Sequence, residues 1–196
     1  MQWAGFGRSN RGFSLVEVLF AMAILTTIAL GVAQLFAVAT KQNLGAKGQT
    51  STALLATQKM EQLRGLTWGF DTAGMGLPLS DTTTDLTVEP PTNSGSGLNP
   101  SPSGTLRANT PGFVDYLDNY GNWVGTGSTP PPTAVYIRRW SVEPLPTNPN
   151  NTLILQVLVT KVVTEQIRAA GTTAGGDRWR LHDDAWLVTV RTRKSQ

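Results

Sequence analysis

The chain has 196 residues, of which 40% are apolar and 15% are charged, with a formal net charge of +3 and no cysteine. The lack of cysteine excludes disulfides, thiolate metal sites and a cysteine nucleophile, and a single histidine, His182, excludes a multi-histidine zinc site. The net charge is too small to predict a nucleic-acid partner.

A long apolar segment follows two basic residues near the N-terminus. Residues 15–39 contain one charged side chain, Glu17, and Arg8 and Arg11 precede them. A helix of this length spans about 37 Å, more than the roughly 30 Å of a hydrocarbon core. Because basic residues stay on the cytoplasmic side, the sequence predicts a membrane helix whose N-terminus lies in the cytoplasm.

Three hypotheses account for this segment. The first is a secretory signal peptide, since residues 37–39 form an A-x-A cleavage pattern, although the apolar run exceeds the usual length of about 7–15 residues. The second is a plain membrane anchor, which leaves Glu17 without a partner at a cost of about 2.5–3.5 kcal/mol. An acid in such a place indicates a function, and the third hypothesis supplies one.

The segment RGFSLVE, residues 11–17, resembles the processing motif of type IV prepilins and type II secretion pseudopilins. The resemblance implies cleavage by a prepilin peptidase between Gly12 and Phe13, followed by N-methylation of Phe13. It also implies that Glu17 pairs with the Phe13 amine of a neighbouring subunit in a helical filament. A paired charge costs much less to bury than a lone one, so the acid acquires a role in assembly.

Within this family the chain is most similar to PilV-type minor pilins, with the minor pseudopilins of type II secretion systems close behind. The similarity lies in GFSLVEVLFAMAIL and in the downstream ATQKMEQLR. Many major pilins have a proline near the middle of the membrane helix and a C-terminal disulfide. This sequence has no proline between Phe13 and Leu66, has Gln34 near that place, and has no cysteine. The resemblance therefore implies a minor subunit whose partners are prepilin peptidase, other pilin subunits and an inner-membrane assembly platform.

Helical character continues beyond Thr40, because apolar residues recur at spacings of three and four and predict a buried stripe. The stripe consists of Ala53, Ala56, Met60, Leu63 and Leu66. Three charged residues lie off it, namely Lys59, Glu61 and Arg64. Gly31, Gly45 and Gly48 each lower helix propensity by about 1 kcal/mol relative to alanine, so bending or local melting is expected there.

Residues 68–133 have the composition of turns and linkers, and one segment within them, residues 113–125, is richer in aromatic side chains. Four aromatic residues predict an anchored hairpin: Phe113, Tyr116, Tyr120 and Trp123. Four oxygen-bearing residues raise the question of calcium binding in 113–124: Asp115, Asp118, Asn119 and Asn122. Their spacing differs from D-x-[DN]-x-[DN]-G, and such clusters usually form turns, so both interpretations stay open.

The last third of the chain predicts an antiparallel sheet. Three β-rich runs cover residues 134–145, 151–163 and 184–192. Period two places one set of side chains on a common face: Tyr136, Arg138, Trp140 and Val142. We expect three tryptophans to pack in the core or on the sheet surface: Trp140, Trp179 and Trp186. The basic residues near the C-terminus are expected to form a solvated strand end and tail: Arg178, Arg180, Arg191, Arg193 and Lys194.

The sequence thus predicts an α+β, type IV pilin-like fold, a long N-terminal helix packed on a C-terminal antiparallel β-sheet. Residues 1–12 form the leader, 13–40 the transmembrane and filament-core helix, 41–67 its amphipathic continuation, 68–133 the loop region and 134–196 the sheet. The expected location is a single-pass inner-membrane protein with a cytoplasmic leader and a periplasmic C-terminal domain, and then a filament at the cell surface or in the periplasm.

No enzymatic activity and no catalytic residue, cofactor or metal is predicted. A Ser-His-Asp triad has only His182 available and no G-x-S-x-G sequence accompanies it. No nucleotide-binding glycine motif occurs. The alternative to a filament subunit is an exported soluble β-domain, cut after Ala39 and acting as a binding module.

Overall fold

The computed structural model describes residues 12–71, 76–169 and 183–193. They fall into two compact units, the first ending at Gly45 and the second beginning at Ala46. A single helix, α1 (Leu15–Gly65), contributes residues to both. The predicted α+β architecture is confirmed, since a long apolar helix is followed by a C-terminal antiparallel sheet.

The first unit consists of the N-terminal part of α1, and every residue from 12 to 44 is exposed. The hydroxyl groups of Thr26, Thr27 and Thr40 donate hydrogen bonds to backbone carbonyls one turn earlier, over 2.8–2.9 Å. These hydroxyls are thereby satisfied within the helix and need no water. Over residues 15–39, the other exposed side chains are apolar except those of Glu17 and Gln34.

The helix α1 is unbroken at Gly31, Gly45 and Gly48. The expected local melting there is therefore wrong, because a glycine costs about 1 kcal/mol while a break would leave backbone groups unpaired at two new helix ends. Gly48 also has a packing role. The Nζ atom of Lys161, which lies 2.9 Å from Asp183, occupies the place where a β-carbon would stand.

In the second unit the remaining part of α1 packs on a sheet. Its buried residues are Gly48, Thr52, Leu55, Ala56, Lys59, Met60 and Leu63. The predicted stripe is therefore correct for Ala56, Met60 and Leu63, whereas Ala53 is exposed. The prediction that Lys59 lies off the stripe is wrong: this side chain is 1% exposed because the sheet offers it a buried carboxylate.

A small two-stranded antiparallel sheet follows α1. It pairs β1 (Trp68–Phe70) with β2 (Pro78–Ser80). Residues 81–112 then form turns and one isolated bridge, between Asp85 and Thr92. This part of the chain matches the expected loop composition, and it leads into the main sheet.

The main sheet has five antiparallel strands in the spatial order β4-β3-β5-β6-β7. The strands are β3 (Val114–Leu117), β4 (Trp123–Thr126), β5 (Tyr136–Pro144), β6 (Thr152–Lys161) and β7 (Ala185–Thr192). Within this sheet, strands that follow each other in sequence are paired, with one exception. β5 pairs with β3 and not with β4. Segment 113–125 thus supplies the β3–β4 hairpin at one edge.

The two faces of the sheet have different partners. The helix face, which packs against α1, carries Tyr136, Trp140 and Val142 together with alternate residues of β6. The predicted common face of β5 is therefore confirmed, and Trp140 is 1% exposed. The opposite surface, called here the outer face, carries Ile137, Arg139, Ser141 and Glu143 of β5 and, across β6, Trp186 of β7.

The hairpin is anchored by some of its aromatic residues only. Phe113 and Tyr116 are buried, and Trp123 is 36% exposed with its indole N–H donating to the Thr87 carbonyl over 2.7 Å. Tyr120 is 88% exposed, so its expected role as an anchor is wrong. It lies in the turn between β3 and β4.

A second helix, α2 (Val162–Ala169), follows β6 directly. The prediction of a strand up to Val163 is therefore wrong at its end. Two β-branched valines favour a strand, but the following residues are better helix formers, and Glu165 and Arg168 form an ion pair at the stabilising spacing of three. Val162 also packs on the outer-face cluster around Ile137, which buries the start of α2.

Two arginines at the end of β7 are not part of a solvated tail. Arg191 donates to the carbonyls of Leu63 and Leu66, at the C-terminal end of α1, over 3.1 and 2.6 Å. Arg193 stacks on Trp68 with its guanidinium carbon 3.4 Å from the ring centroid. The last strand is therefore fixed to the end of α1 and to the small sheet.

Candidate processing and assembly site

The predicted cleavage position lies in a short non-helical segment that precedes α1. Residues 12–14 have no regular secondary structure, and the helix begins at Leu15. Phe13 is 83% exposed, and nothing lies within 4 Å of the place where a β-carbon of Gly12 would stand. The peptide bond between Gly12 and Phe13 is therefore accessible backbone beside a small residue, as a protease requires.

Glu17 lies in the first turn of α1, three residues after Ser14. The Ser14 carbonyl accepts hydrogen bonds from the N–H groups of Glu17 and Val18 over 3.0 and 3.2 Å, so Ser14 stands at the N-cap. Serine at the N-cap with glutamate three positions later has the spacing of a capping box, and the carboxylate complements the helix dipole. The S-x-x-E spacing therefore gives Glu17 a second candidate role, at the start of the helix, that the prediction did not include.

One face of α1 combines this acid with apolar side chains. The residues of this face line a shallow groove of about 400 Å³: Phe13, Glu17, Val18, Ala21, Met22 and Leu25. They recur at intervals of one, three and four residues, which places them along one side of the helix. Covering this groove with a second apolar helix is costly while Glu17 is charged and unpaired.

The apolar surface around this face extends along the first unit. Large apolar side chains with exposures of 60% or more include Leu15, Leu19, Phe20, Met22, Leu25, Leu30, Leu35 and Phe36. The most apolar window of α1 has a mean hydropathy of 2.3 and is 0% buried. Among the described residues, α1 is the one helix that is long and apolar enough to cross a membrane.

The second unit contains a buried ion cluster between α1, β3 and β5. The Nζ atom of Lys59 lies 2.9 Å from Asp115 and donates to the Leu86 carbonyl over 2.6 Å, while Arg138 binds both carboxylate oxygens of Asp115 over 2.9 and 2.8 Å. Lys59 also lies 4.5 Å from the centre of the Trp140 ring. Burial lowers the pKa of Lys59 to about 8, against the attraction of Asp115. Since two cations occupy this carboxylate, it is not placed to act as a base.

The aspartates for which calcium was considered are held within the protein. Asp115 belongs to the ion cluster, and Asp118 accepts hydrogen bonds from the N–H groups of Tyr120 and Asn122 over 2.8 and 2.9 Å. The Asn122 side chain also donates to Asp118, and these bonds lower the pKa of Asp118. Within residues 12–71, 76–169 and 183–193, no group of three or more histidine or acidic side chains is placed to hold a metal ion.

Several residues named from the sequence lie outside the described residues. They are Arg8 and Arg11 near the N-terminus, Trp179 and the single histidine His182, and the C-terminal basic residues Arg178, Arg180 and Lys194. Trp186, by contrast, lies on the outer face of the sheet. Of the predicted leader, the structure describes Gly12 alone.

Comparison with protein families identifies the prokaryotic N-terminal methylation motif in residues 7–33. This motif indicates a type IV pilin-like or pseudopilin precursor, which is a structural class and not an enzyme family. It implies a substrate of prepilin peptidase that assembles into pilus-like filaments. Together with the apolar α1, the motif suits a single-pass anchor in the inner membrane before assembly. No curated protein and no solved structure gives a match.

Proposed function

We propose that this protein is a minor type IV pilin of the PilV type. It enters the inner membrane through α1, prepilin peptidase cuts it between Gly12 and Phe13, and the new Phe13 amine is methylated. The processed chain then joins a filament, at its tip or during the priming of assembly. The minor pseudopilin of a type II secretion system is the alternative with the same chemistry.

The observation that supports this function is the coincidence of two features at the N-terminus. The methylation motif covers residues 7–33, and the exposed apolar helix that begins inside it carries one charge, Glu17, within residues 15–39. In a plain membrane anchor this acid would have no partner, and its insertion costs about 2.5–3.5 kcal/mol. In a filament, a neighbouring subunit can supply a partner for the carboxylate.

The proposed partner of Glu17 is the amine that cleavage creates. Phe13 and Glu17 line the same groove, one helical turn apart. A parallel neighbouring helix that is displaced along its axis brings its Phe13 amine level with Glu17. Two groups that are each costly to bury become a hydrogen-bonded ion pair, which favours docking in one register.

A minor role is proposed because the chain departs from two features of many major pilins. No proline interrupts the helix between Phe13 and Leu66, and no cysteine is available for a C-terminal disulfide. Arg191 and Arg193 hold the last strand to the end of α1 and to the small sheet without a disulfide. These features agree with a pilin or pseudopilin subunit whose head is not closed by a disulfide.

The proposed topology follows from the charges beside the membrane helix. Arg8 and Arg11 keep the leader in the cytoplasm, where prepilin peptidase cuts, and the second unit lies in the periplasm before assembly. The partners are then prepilin peptidase, the inner-membrane assembly platform and other pilin subunits. Force for extension and retraction comes from other components of the machine.

Mass spectrometry of the N-terminus tests this proposal. The full chain is expressed in cells with and without a prepilin peptidase, and methylated Phe13 is expected only when the peptidase is present. The Gly12→Val variant is expected to stay uncut, whereas Gly31→Ala, a glycine with open space around it, is expected to be processed normally. A chain that begins at Thr40 would instead establish an exported β-domain and overturn the filament function.

A second measurement separates the pilus from the secretion alternative. Filaments sheared from cells of the native host are purified and analysed for this subunit relative to the major pilin. A small, reproducible fraction in the pili supports the minor pilin. Loss of protein secretion on gene deletion, with normal pili that lack the subunit, supports the pseudopilin.

A further inference from the structure

The outer face of the sheet contains a cleft of about 230 Å³ that filament assembly through α1 does not explain. Residues 104–107 form one wall, and strands β5, β6 and β7 form the floor. The floor residues are Ser141, Glu143, Gln156 and Trp186. Within the second unit, the sheet separates this cleft from the helix and from the ion cluster around Asp115.

The loop that forms the wall is fixed at both ends to β5. The N–H of Ser101 donates to the Val142 carbonyl over 2.9 Å, and the N–H of Val142 donates to the Ser101 hydroxyl over 3.1 Å. At the other end, Arg139 donates twice to the Asn109 side chain over 2.9 and 2.7 Å and is itself 2% exposed. The cleft is therefore preformed, which reduces the entropic cost of binding a ligand.

The floor offers polar groups for a ligand. Ser141 is 2% exposed, and its hydroxyl oxygen has no hydrogen-bond partner within the part of the chain that the structure describes. A buried hydroxyl without a partner costs about 1–3 kcal/mol, so a ligand that bonds to it gains affinity. Beside it, the Glu143 carboxylate accepts a hydrogen bond from the Gln156 side chain over 3.2 Å.

The composition of the cleft identifies the class of ligand. Trp186 provides an indole, while Gln156, Glu143 and Ser141 provide donors and acceptors. The volume is below the roughly 300–1,000 Å³ of sites for drug-sized molecules, so the cleft suits a single ring.

We propose that this cleft binds one sugar ring of a glycan. The apolar C–H face of a pyranose packs on an indole, and its hydroxyl groups both donate and accept hydrogen bonds, which matches the amide, carboxylate and hydroxyl groups of the floor. A subunit with this cleft recognises saccharide on a surface or in the medium. Binding does not require processing at Gly12 or assembly, so this proposal is independent of the filament function.

The test uses the unassembled full chain in a phosphocholine detergent, because detergents with sugar headgroups would compete for the cleft. Saturation-transfer NMR and calorimetry are run with the methyl glycosides of glucose, galactose, mannose and N-acetylglucosamine. Saturable binding of at least one sugar is expected. Gln156→Ala and Glu143→Gln are each expected to weaken it about tenfold, which corresponds to about 1.4 kcal/mol.

Matched variants locate the binding within the molecule. Gln166→Ala, an exposed glutamine on α2, is expected to bind like the wild type. Trp186→Ala is expected to abolish binding, with circular dichroism to show that the variant is folded. Ser141→Ala is expected to weaken binding without lowering the melting temperature, because its hydroxyl bonds to nothing among the described residues of the free protein.

Two results would overturn the proposal. One is the absence of saturable binding with all four glycosides. The other is a bound sugar whose affinity is the same in the wild type, Gln156→Ala and Glu143→Gln, since that sugar would lie elsewhere on the protein. Both variants change side chains that are not fully buried, so neither result depends on the folding of Trp186→Ala.

Discussion

The Nζ atom of Lys59 lies 2.9 Å from the Oδ2 atom of Asp115, and both side chains are 1% exposed. Arg138 shares the same carboxylate, so the core holds two cations and one anion. The attraction between these groups offsets only part of the free energy needed to remove them from water. Lys59 reaches the carboxylate only when Ala56 and Met60 face the sheet, so the cluster also specifies how α1 packs.

The first prediction concerns Asp115. Asp115→Asn leaves Lys59 and Arg138 buried without a countercharge, and we expect the free energy of unfolding to fall by about 3–5 kcal/mol. Chemical denaturation of the full chain in detergent measures it. Glu61→Gln is the control, because it removes an exposed pair with Arg64 that contributes less than about 1 kcal/mol. Equal losses in both variants would contradict the role of the cluster.

The second prediction is a pH dependence that Lys59 controls. Its pKa is about 8 in the folded protein against an ordinary value of 10.5, so the unfolded chain binds more protons between these values. Stability therefore rises as the pH increases from about 8 to 10.5, and this contribution is lost as the pH falls to 8. The linked free energy is about 3 kcal/mol.

Lys59→Met removes the titrating amine, so the difference between variant and wild type gives the contribution of Lys59 alone. The free energy of unfolding of the variant minus that of the wild type should be larger at pH 7 than at pH 10.5. At pH 7 the folded wild type keeps a buried positive charge on Lys59, and at pH 10.5 it does not. Lys47→Met, an exposed lysine on the same helix, should leave the pH profile parallel to that of the wild type. Parallel profiles for Lys59→Met would exclude the linkage.

The third prediction concerns the end of α1. Arg191 donates to the carbonyls of Leu63, in the last turn of α1, and of Leu66, just after it, over 3.1 and 2.6 Å. Arg191→Ala is expected to destabilise the second unit by about 1.5–3 kcal/mol, the usual value for hydrogen bonds to a charged donor, since the carbonyls lose their partner at the negative end of the helix dipole. Thermal unfolding measures the change, and Arg64→Ala, at an exposed position in the same turn, should cost less than about 1 kcal/mol.

Periodicity in the sequence was sufficient to predict the main elements. The apolar run beginning at Leu15 predicts α1, and alternation along β5 predicts that Trp140 and its neighbours share a face. Both signals are local, because they depend only on which side of an element is buried. The S-x-x-E sequence at Ser14 is an equally local signal, which favours a capping box at the start of α1.

The features that the sequence did not predict depend on distant partners. Lys59 is buried because Asp115 and Arg138 come from strands far along the chain, and no local pattern marks that meeting. The start of α2 at Val162 was missed because two valines favour a strand when considered alone. The cleft beside Ser141 needs a loop of turn-like composition to be laid across the sheet, which only the tertiary structure shows.

The fourth prediction separates the two roles of Glu17. Glu17→Gln keeps a residue that suits the third position of a capping box but removes the charge, whereas Glu17→Ala removes both. If pairing with a Phe13 amine drives assembly, both variants should be cut after Gly12 like the wild type and both should be strongly depleted from filaments. Mass spectrometry reports cleavage, and immunoblots of sheared filaments against membranes report incorporation.

The amounts of Glu17→Gln and Glu17→Ala found in filaments distinguish charge pairing from a role at the start of the helix. Glu17→Ala removes the side-chain acceptor from the third position of a capping box, whereas Glu17→Gln keeps one. Normal incorporation of Glu17→Gln, with depletion of Glu17→Ala alone, would assign the acid to the start of the helix and refute charge pairing. Glu61→Gln, which changes an exposed acid of the same helix outside the apolar segment, should assemble like the wild type and serves as the control.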